Sequence, residues 1–429
     1  MPRTSSEALL KPQTTLSEFG CGHGPALGNF SMFSFEVLAE EKRARVGRLV
    51  TPHGAIQTPA FVTVGTQATV KALSAEDLMR IRGQVIIANV YHLHLHPGED
   101  VIERLGGLHR FMGWEGVLMT DSGGFQVFSH GAGKEHGVGK IAPIFPEEGD
   151  RGGHFRSKGR KPLVKVDDDG VEFISYLDGS CHRFTPERVI EMQRKLGADI
   201  ILVLDECTSP LHDYPYTRAA MKRTHRWAER ALSEFQRASD KHQMIFGIVQ
   251  GGAYRDLREE SAAVVSALGF DGYAIGGSLG RSKEEMHRVL EWTVPLLPDH
   301  RPRHLLGIGR VEDIFEVVKR GIDLFDCVAP TRMARTGTLF ARGEEGNRIH
   351  ILNRRFRDDP GPICESCHCP TCSRYSRAYL RHLFEAKEVS GTRLAAIHNL
   401  SFMESLMEEI RTAIREQRFE AICREWMGE

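Results

Sequence analysis

Three aspartates in the sequence each come at the end of a short apolar run. Asp121 ends the run VLMTD, Asp205 ends IILVLD and Asp326 ends DLFD. If the three carboxyl groups share one site, they resemble the carboxylates of glycosyl transfer, where one attacks the anomeric carbon and another moves the proton. A single acid at such a position would more often cap a helix or lie on the surface. Three of them together favour glycosyl transfer as the working hypothesis.

A group of arginines follows the last of these aspartates. Between residues 332 and 357 the chain has seven arginines and only two glutamates. A charge run is usually a solvated face, but guanidinium groups beside a nucleophile could also bind the phosphates that flank a ribose. This arrangement indicates a nucleic acid as the source of the sugar. The arginines are Arg332, Arg335, Arg342, Arg348, Arg354, Arg355 and Arg357.

Four of the nine cysteines lie between Cys364 and Cys372. Zinc takes four nitrogen or sulfur ligands in a tetrahedron, and closely spaced thiolates supply them readily. Cys364, Cys367, Cys369 and Cys372 could bind zinc without a histidine, or His398 of AAIHNL could replace one of them. The other cysteines are scattered, which is typical of a reducing compartment rather than of a disulfide framework. We therefore expect a structural zinc site and a cytoplasmic protein.

The composition excludes some functions and marks two irregular segments. The 429 residues carry 56 basic and 57 acidic side chains, so any basic face for a nucleic acid must be local. The sequence has no long uncharged apolar span and no signal-peptide core, so we expect neither a membrane segment nor secretion. Residues 1–31 are rich in Ser, Pro and Gly and predict a disordered extension. Residues 131–166 are rich in Gly, Lys and Arg and predict a surface insertion.

Short apolar runs alternate with helical patterns from Met32 to about residue 340. ADIILVLDECT, MIFGIVQGG, DGYAIGG and HLLGIG each precede a helical pattern, with helices expected from about residues 254, 283 and 311. This alternation implies a parallel sheet. In a closed (β/α)8 barrel all strand ends gather at one mouth, where catalytic groups lie. An open doubly wound sheet is the alternative, but its GxGxxG signature is missing after the first strand.

We therefore predict an α/β protein whose catalytic part is a (β/α)8 TIM barrel over residues 32–340. After residue 340 the pattern changes to the cysteine cluster and then to mostly helical, charged sequence. Residues 341–429 are expected to form a mainly helical, zinc-binding subdomain, and part of its C-terminal helices is expected to pack back on the barrel.

Six motifs in order resemble the bacterial-type tRNA-guanine transglycosylases, the queuine tRNA-ribosyltransferase family. They are DSGGFQVFS, LDECTSP, FGIVQGG, GYAIGG, GIDLFDCVAPTR, and CHCPTC followed by IHNL; the resemblance runs from about Phe33 to the C-terminus. It implies a (β/α)8 barrel with a zinc site and a homodimer. It also implies the exchange of the wobble guanine in GUN-anticodon tRNAs (Tyr, His, Asn, Asp) for a 7-deazaguanine, in queuosine biosynthesis and without a nucleotide cofactor.

The resemblance also implies roles for individual residues. Asp326 corresponds to the nucleophile on the ribose anomeric carbon and Asp121 to the general acid/base. Arg332 and Arg335 correspond to residues that hold the anticodon backbone. The base pocket corresponds to Ser122, Phe125, Asp205, Cys207, Gln250, Gly276, Gly277 and Leu306, with Phe125 and Leu306 against the two faces of the purine. The ligands of one structural Zn²⁺ per subunit correspond to Cys367, Cys369, Cys372 and His398, which leaves Cys364 as an extra cysteine.

The chain departs from the family pattern after the paired glycines. Where bacterial members continue to a Val-Gly-Glu segment, this sequence has GGSLGRS, one residue shorter and with Arg281 in place of the glutamate. That glutamate helps to adapt the pocket to the incoming aminomethyl base. The preferred base is therefore open: 7-aminomethyl-7-deazaguanine comes first, and queuine and 7-cyano-7-deazaguanine are alternatives.

Two functions of other classes compete with this one. In YHLHLHPG the side chains of His92, His94 and His96 would share one face of a strand, as in metal-dependent barrel hydrolases. The further ligands of such a site cannot be identified in the sequence. A non-catalytic tRNA-binding subunit is the second alternative, and the presence of both Asp121 and Asp326 argues against it.

Overall fold

The computed structural model describes residues 33–128, 164–237 and 242–428. All of them belong to one compact unit. The predicted extension over residues 1–31 lies outside the described residues. So does the predicted insertion, apart from residues 164–166 at its end.

Eight parallel strands close into a barrel, which confirms the predicted (β/α)8 fold. Their order is β10-β11-β12-β13-β14-β4-β5-β6, and closure comes from the pairing of β14 with β4 and of β6 with β10. The strands of the described residues are β1 (Ser34–Glu41), β2 (Ala44–Thr51), β3 (Gly54–Thr58), β4 (Ala60–Val64), β5 (Val85–Asn89), β6 (Val117–Asp121), β7 (Val164–Val166), β8 (Val171–Ile174), β9 (Cys181–Phe184), β10 (Ile200–Leu202), β11 (Met244–Val249), β12 (Gly272–Ile275), β13 (Arg303–Leu306), β14 (Leu324–Asp326), β15 (Thr338–Phe340) and β16 (Arg348–His350).

The barrel strands are mostly apolar because they are covered on both faces. Every residue of β5 and β11 is buried, as expected for parallel strands between a filled interior and a helical layer. The run ADIILVLDECT is in a strand only over Ile200–Leu202, although burial continues to Glu206. Beyond Leu202 the Val203 backbone N–H still donates to the Phe246 carbonyl oxygen, and further on Thr224 Oγ1 accepts from the Glu206 backbone N–H at 3.0 Å.

Helices follow the barrel strands and begin close to where the sequence predicts them. Those expected from about residues 254, 283 and 311 begin at Arg255, Lys283 and Val311. The α-helices span Ala75–Arg80, Val90–Leu95, Glu99–Arg104, Gly107–Met112, Pro186–Leu196, Tyr214–Arg237, Arg255–Ala267, Lys283–Thr293, Val311–Lys319, Ala329–Arg335, Arg377–Glu385, Val389–Arg415 and Phe419–Met427. Short 3-10 helices span Val294–Leu296, Glu345–Asn347 and Arg354–Phe356.

Three small antiparallel sheets accompany the barrel. The sheet β1-β2-β3 precedes it, β7-β8-β9 lies in the chain between β6 and β10, and β15 pairs with β16 after it. The long helix Val389–Arg415 packs on β1, β2 and β4. Its Asn399 side chain donates to the carbonyl oxygens of Pro330 and Thr338 and accepts from the Phe340 backbone N–H. These contacts attach the C-terminal helix to the end of the barrel chain.

The expectation of a histidine-bearing strand at YHLHLHPG is wrong. Strand β5 ends at Asn89, and residues 90–95 form a helix. The period of the helix puts the side chains of His92 and His94 on different faces, and His96 lies beyond the end of the helix in extended backbone, so the three histidines do not share one face. His94 instead contacts Glu99 at 2.8 Å and His182 at 2.9 Å. None of the helices in the described ranges is long and apolar enough to cross a membrane.

Candidate active site at the carboxyl ends of the barrel strands

The structure brings the three strand-end aspartates to the same mouth of the barrel. Asp121 is the last residue of β6, Asp326 is the last residue of β14, and Asp205 follows β10 by three residues. Because all barrel strands are parallel, their carboxyl ends meet at one rim. Asp205 and Asp326 lie close enough to Asp121 for their charges to raise its pKa.

The carboxyl group of Asp121 has the proton affinity of a group that exchanges protons near neutral pH. Burial, and then the charges of Asp205 and Asp326, raise the pKa of Asp121 to about 7. Asn89 Nδ2 donates to Asp121 Oδ2 at 2.6 Å, and the two residues are register partners on β5 and β6. A carboxyl group with a pKa near the working pH is suited to general acid/base catalysis.

Two donors hold one oxygen of the Asp326 carboxylate. His304 Nε2 lies 3.0 Å from Asp326 Oδ1, and the Gly307 backbone N–H donates to the same oxygen at 3.4 Å. Because Nε2 faces a carboxylate oxygen, that nitrogen carries the hydrogen. His304 is fully buried on β13, while the Asp326 side chain retains partial exposure. The donors orient the carboxylate and leave Oδ2 outside both contacts, as a nucleophile requires.

A buried polar pair lies beside these acids. Gln250 Nε2 donates to Asp205 Oδ2 at 2.5 Å, and both side chains are buried. Burial raises the pKa of Asp205 to about 6, although the bond from Gln250 acts in the opposite direction. Such a pair can present both a donor and an acceptor to the edge of a purine.

Glycines let two loops close on this pair. A Cβ at Gly277, whose φ is +74°, would overlap Gln250 Oε1. A Cβ at Gly124 would lie 2.6 Å from the Asp205 carbonyl oxygen. Only glycine allows such close approach of backbone to side chain. The loops after β6 and β12 therefore approach Asp205 and Gln250 closely.

The remaining predicted pocket residues differ in exposure. Ser122 is fully buried, and its Oγ accepts from the Gly124 backbone N–H at 3.4 Å. Burial raises the pKa of the Cys207 thiol, which keeps it neutral. Phe125 is 46% exposed, although it is a large apolar side chain. Leu306 ends β13 and pairs in register with Asp326. An exposed aromatic ring at such a mouth is suited to stacking on a base.

Arg332 and Arg335 lie on the helix Ala329–Arg335, which begins three residues after Asp326. Their spacing of three places them on one face, and both are exposed. Within the described ranges, neither forms an ion pair with a carboxylate, whereas Arg342 and Arg355 pair with glutamates. Their charges are therefore available to phosphate groups.

Cys367, Cys369, Cys372 and His398 form a cluster whose ligand atoms all lie within 4.8 Å of one another. His398 Nδ1 lies 3.7, 3.7 and 3.3 Å from the sulfur atoms of Cys367, Cys369 and Cys372. A tetrahedral zinc site with Zn–S of about 2.3 Å and Zn–N of about 2.0 Å has N···S edges of roughly 3.5 Å.

The tautomer of His398 also fits a metal site. Its Nε2 donates to the Phe340 carbonyl oxygen at 2.7 Å, which leaves the Nδ1 lone pair for the metal. Cys364 is not in the cluster; its Sγ lies 3.3 Å from Ser366 Oγ. The four-cysteine alternative is therefore not favoured, and the Cys3His set could bind a metal.

A second cluster, at the amino ends of the strands, consists of His53, His109 and Asp199. The two imidazole rings stack 3.5 Å apart with an interplanar angle of 18°. A metal lies in the plane of each imidazole that binds it, and these two planes do not converge on one point. Asp199 instead accepts from His53 at 2.7 Å and from the Leu118 backbone N–H at 2.9 Å. This cluster is a hydrogen-bonded group that joins three segments.

Two site residues were not predicted from the sequence. Asn89 ends β5 in the way that Asp121 ends β6, so the rule of polar strand ends could have found it. His304 interrupts the apolar run HLLGIG, but nothing in the sequence identifies Asp326 as its partner.

Comparisons with known proteins agree with this geometry. The family model described as "Queuine tRNA-ribosyltransferase" matches residues 40–144 and 150–429. A queuine tRNA-ribosyltransferase of Roseiflexus sp. is 47% identical over 415 residues, which cover 92% of this chain and 99% of the relative. Relatives with the same name from Herpetosiphon aurantiacus and Desulforudis audaxviator are 47% and 46% identical over 397 residues, covering 92% of this chain and 92% and 97% of the relatives.

Proposed function

Since the chain belongs to the queuine tRNA-ribosyltransferase family and is thus a pentosyltransferase, we propose that it exchanges the wobble guanine of GUN-anticodon tRNAs for a 7-deazaguanine. Those tRNAs are specific for Tyr, His, Asn and Asp. The observation that carries the proposal is the meeting of Asp121 and Asp326 at one barrel mouth, with the pKa of Asp121 near 7. The reaction belongs to queuosine biosynthesis.

The first half of the reaction breaks the bond between ribose and guanine. Asp326 attacks C1′ of the ribose, and the electron pair of the C1′–N9 bond passes to the base. Guanine is a poor leaving group, so a proton or hydrogen bond from the neutral carboxyl group of Asp121 lowers the barrier. Guanine then leaves, and the tRNA remains attached to Asp326 as a covalent ester.

The second half reverses these steps with a different base. The 7-deazaguanine enters the vacated pocket, and the carboxylate of Asp121 takes the proton from its N9. The base attacks C1′, the bond from C1′ to Asp326 breaks, and the modified tRNA is released. No net charge or proton is gained by the enzyme, so the same two carboxyl groups are ready for another turnover.

The buried pair of Asp205 and Gln250 is proposed to hydrogen-bond the edge of the base, together with the backbone at Gly276 and Gly277. Ser122 and Cys207 lie near that edge. Phe125 and Leu306 stack on the faces of the purine, which a base extruded from the anticodon loop requires. Arg332 and Arg335 bind the phosphates on either side of the reacting ribose.

The incoming base is proposed to be 7-aminomethyl-7-deazaguanine, with queuine and 7-cyano-7-deazaguanine as alternatives. The loop that differs from the family pattern has its own contacts. The guanidinium group of Arg281 donates to the Pro210 carbonyl oxygen at 3.2 and 3.3 Å, and its backbone N–H donates to Glu285 at 2.6 Å. Glu285, on the following helix, therefore supplies a carboxylate to this loop. The family pattern has a glutamate at the position of Arg281, which has no carboxylate.

The Cys3His cluster is proposed to hold one Zn²⁺ per subunit. When bound by these four residues, zinc would cross-link the cysteine loop to the helix Val389–Arg415 and would take no part in the exchange. The cluster is bonded to Phe340 at the end of the barrel chain. We also propose that the protein is a homodimer and is cytoplasmic. The homodimer is proposed only because the family resemblance implies it, and the location only because of the cysteine pattern in the sequence.

Incorporation of labelled guanine into purified tRNA tests this function. The label should enter GUN-anticodon tRNAs, and an unlabelled 7-deazaguanine should then expel it irreversibly. Repeating the chase with the three candidate bases identifies the preferred one. A tRNA that binds without incorporating label would indicate the non-catalytic subunit. Release of guanine with no replacement would indicate a hydrolase.

A further inference from the structure

Arg258 is fully buried and has only backbone partners. It lies in the first turns of the helix Arg255–Ala267, and its side chain is 0% exposed. Burial lowers the pKa of its guanidinium to about 9, so it stays charged at neutral pH. No carboxylate within the described ranges forms an ion pair with it. A buried cation without a counter-ion is costly unless oriented dipoles replace water around it.

Four backbone carbonyl groups supply those dipoles, and they belong to two loops of the base pocket. At the end of β11 and in the loop after it, Arg258 Nη1 donates to the Val249 carbonyl oxygen at 2.9 Å and Nε to that of Gly252 at 2.7 Å. After β12, Nη2 donates to the carbonyl oxygens of Gly276 at 3.0 Å and Ser278 at 2.9 Å. One rigid, planar group therefore ties together the loops that carry Gln250 and Gly277.

These bonds determine which way two peptide groups face. In a planar trans peptide the C=O and N–H point in opposite directions. The carbonyl groups of Gly276 and Ser278 point to Arg258 in the helical layer, so the N–H groups of Gly277 and Leu279 point to the barrel mouth. Neither N–H donates to another group in the described parts of the chain, although Leu279 is buried and Gly277 is partly buried. Buried N–H groups without a partner require an acceptor.

We propose that Arg258 is a positioning residue for base exchange, which holds the amide N–H groups of Gly277 and Leu279 toward an acceptor oxygen on the bound base. It does not touch the base itself. This inference rests on the proposed function only for the identity of the base. The acceptor on guanine is its carbonyl oxygen, O6.

Lysine cannot replace arginine in this role. Its single ammonium group has no planar fork and cannot reach four carbonyl oxygens in two loops at once. Arg258→Lys keeps the charge and the approximate volume, and it releases the peptides at Gly276 and Ser278. The N–H groups of Gly277 and Leu279 then lose their orientation. As a result, the protein discriminates less between a base that has the acceptor oxygen and a base that lacks it.

Binding of guanine and of 2-aminopurine, which has no O6, tests the inference. Dissociation constants come from calorimetry and so require no turnover. The wild-type protein should prefer guanine by about tenfold or more, as expected when buried donors lose their acceptor. In Arg258→Lys the preference should fall to within about threefold. If Arg258→Lys prefers guanine over 2-aminopurine as strongly as the wild type does, the positioning role is wrong. This outcome does not depend on whether the enzyme exchanges guanine.

Arg303→Lys is the matched control. Arg303 is also buried and donates to the carbonyl oxygens of Leu297 and Gly321, but it lies at the amino end of β13. Arg303→Lys should retain the preference for guanine. If it loses the preference, the loss in Arg258→Lys would be explained by general destabilisation, and the inference would be wrong.

A measurement on the unchanged protein covers the case in which Arg258→Lys does not fold. Guanine should slow hydrogen exchange at the amides of Gly277 and Leu279 by at least about tenfold. Exchange there that is unaffected by guanine would contradict the proposal.

Discussion

His304 Nε2 lies 3.0 Å from Oδ1 of Asp326, on the neighbouring strand of the barrel. The histidine is fully buried, so its ring has no freedom to follow the carboxylate if that group rotates. The orientation of Asp326 is therefore set by the packing of β13. In the proposed mechanism, the attack on C1′ therefore depends on a residue that need not contact the substrate.

Replacing His304 should slow ester formation without weakening tRNA binding. His304→Leu removes the donor, and the single-turnover rate of ester formation should fall about tenfold. His304→Gln retains an N–H donor and should stay within about threefold of the wild-type rate. Equal rates for the leucine and wild-type proteins would show that the bond does not orient the nucleophile.

Asp326→Asn should abolish the covalent tRNA adduct. Asparagine has the same shape and can still accept from His304, but its amide is not a nucleophile, so exchange should fall by at least about a thousandfold. The adduct is measured as labelled tRNA that stays with the protein in denaturing gels. Dissociation constants for tRNA should change by less than about threefold. Asp169→Asn, at an exposed aspartate, is the control and should form the adduct normally.

The pH dependence of ester formation should report Asp121. Its pKa is raised to about 7, so the neutral acid predominates below that pH and is lost above it. The single-turnover rate should therefore fall as the pH rises through 7. Asn89→Ala removes a donor that stabilises the carboxylate, which raises the pKa of Asp121 and shifts the fall to higher pH. A shift to lower pH, or none, would contradict the assignment of the acid.

Arg332→Ala and Arg335→Ala should each weaken tRNA binding and flatten its salt dependence. Loss of one phosphate contact reduces the slope of log K against log salt by about 0.7 for single-stranded RNA. Binding is measured over a series of salt concentrations by filter retention. Arg237→Ala is the control. This exposed arginine is the last residue of the helix Tyr214–Arg237, so it lies away from the carboxyl ends of the barrel strands. Equal slopes of log K against log salt for Arg332→Ala and the wild type would exclude a phosphate contact of Arg332.

Removing zinc should weaken the fold and leave the chemistry of the active centre intact. A chelator, or Cys369→Ser, should lower the melting temperature by about 5 °C or more, because metal binding contributes to folding. The folded fraction should retain its adduct-forming rate. Metal content measured by mass spectrometry should be unchanged in Cys364→Ser, whose thiol lies outside the cluster. Loss of the metal from that variant would restore the four-cysteine alternative.

Local patterns in the sequence determined the fold class and identified most of the candidate site residues. Alternating apolar runs and helical periods are set by neighbouring residues, and they predicted the barrel and the helix starts at Arg255, Lys283 and Val311. The acids at strand ends share one rim because parallel strands impose it. The cysteine cluster was recognisable because its three cysteines are close in the chain. The same reasoning failed at YHLHLHPG, where a short alternating run fits either a strand or a helix.

Tertiary structure alone decided the contacts between residues far apart in sequence. His304 meets Asp326, Asn89 meets Asp121, and Arg258 reaches the Gly276 loop only because neighbouring strands and their helices pack in one order. The raised pKa of Asp121 has the same origin, since burial and two other carboxylates act on it together. A sequence records which groups are present, whereas desolvation, orientation and charge coupling depend on distances that exist only after the barrel closes.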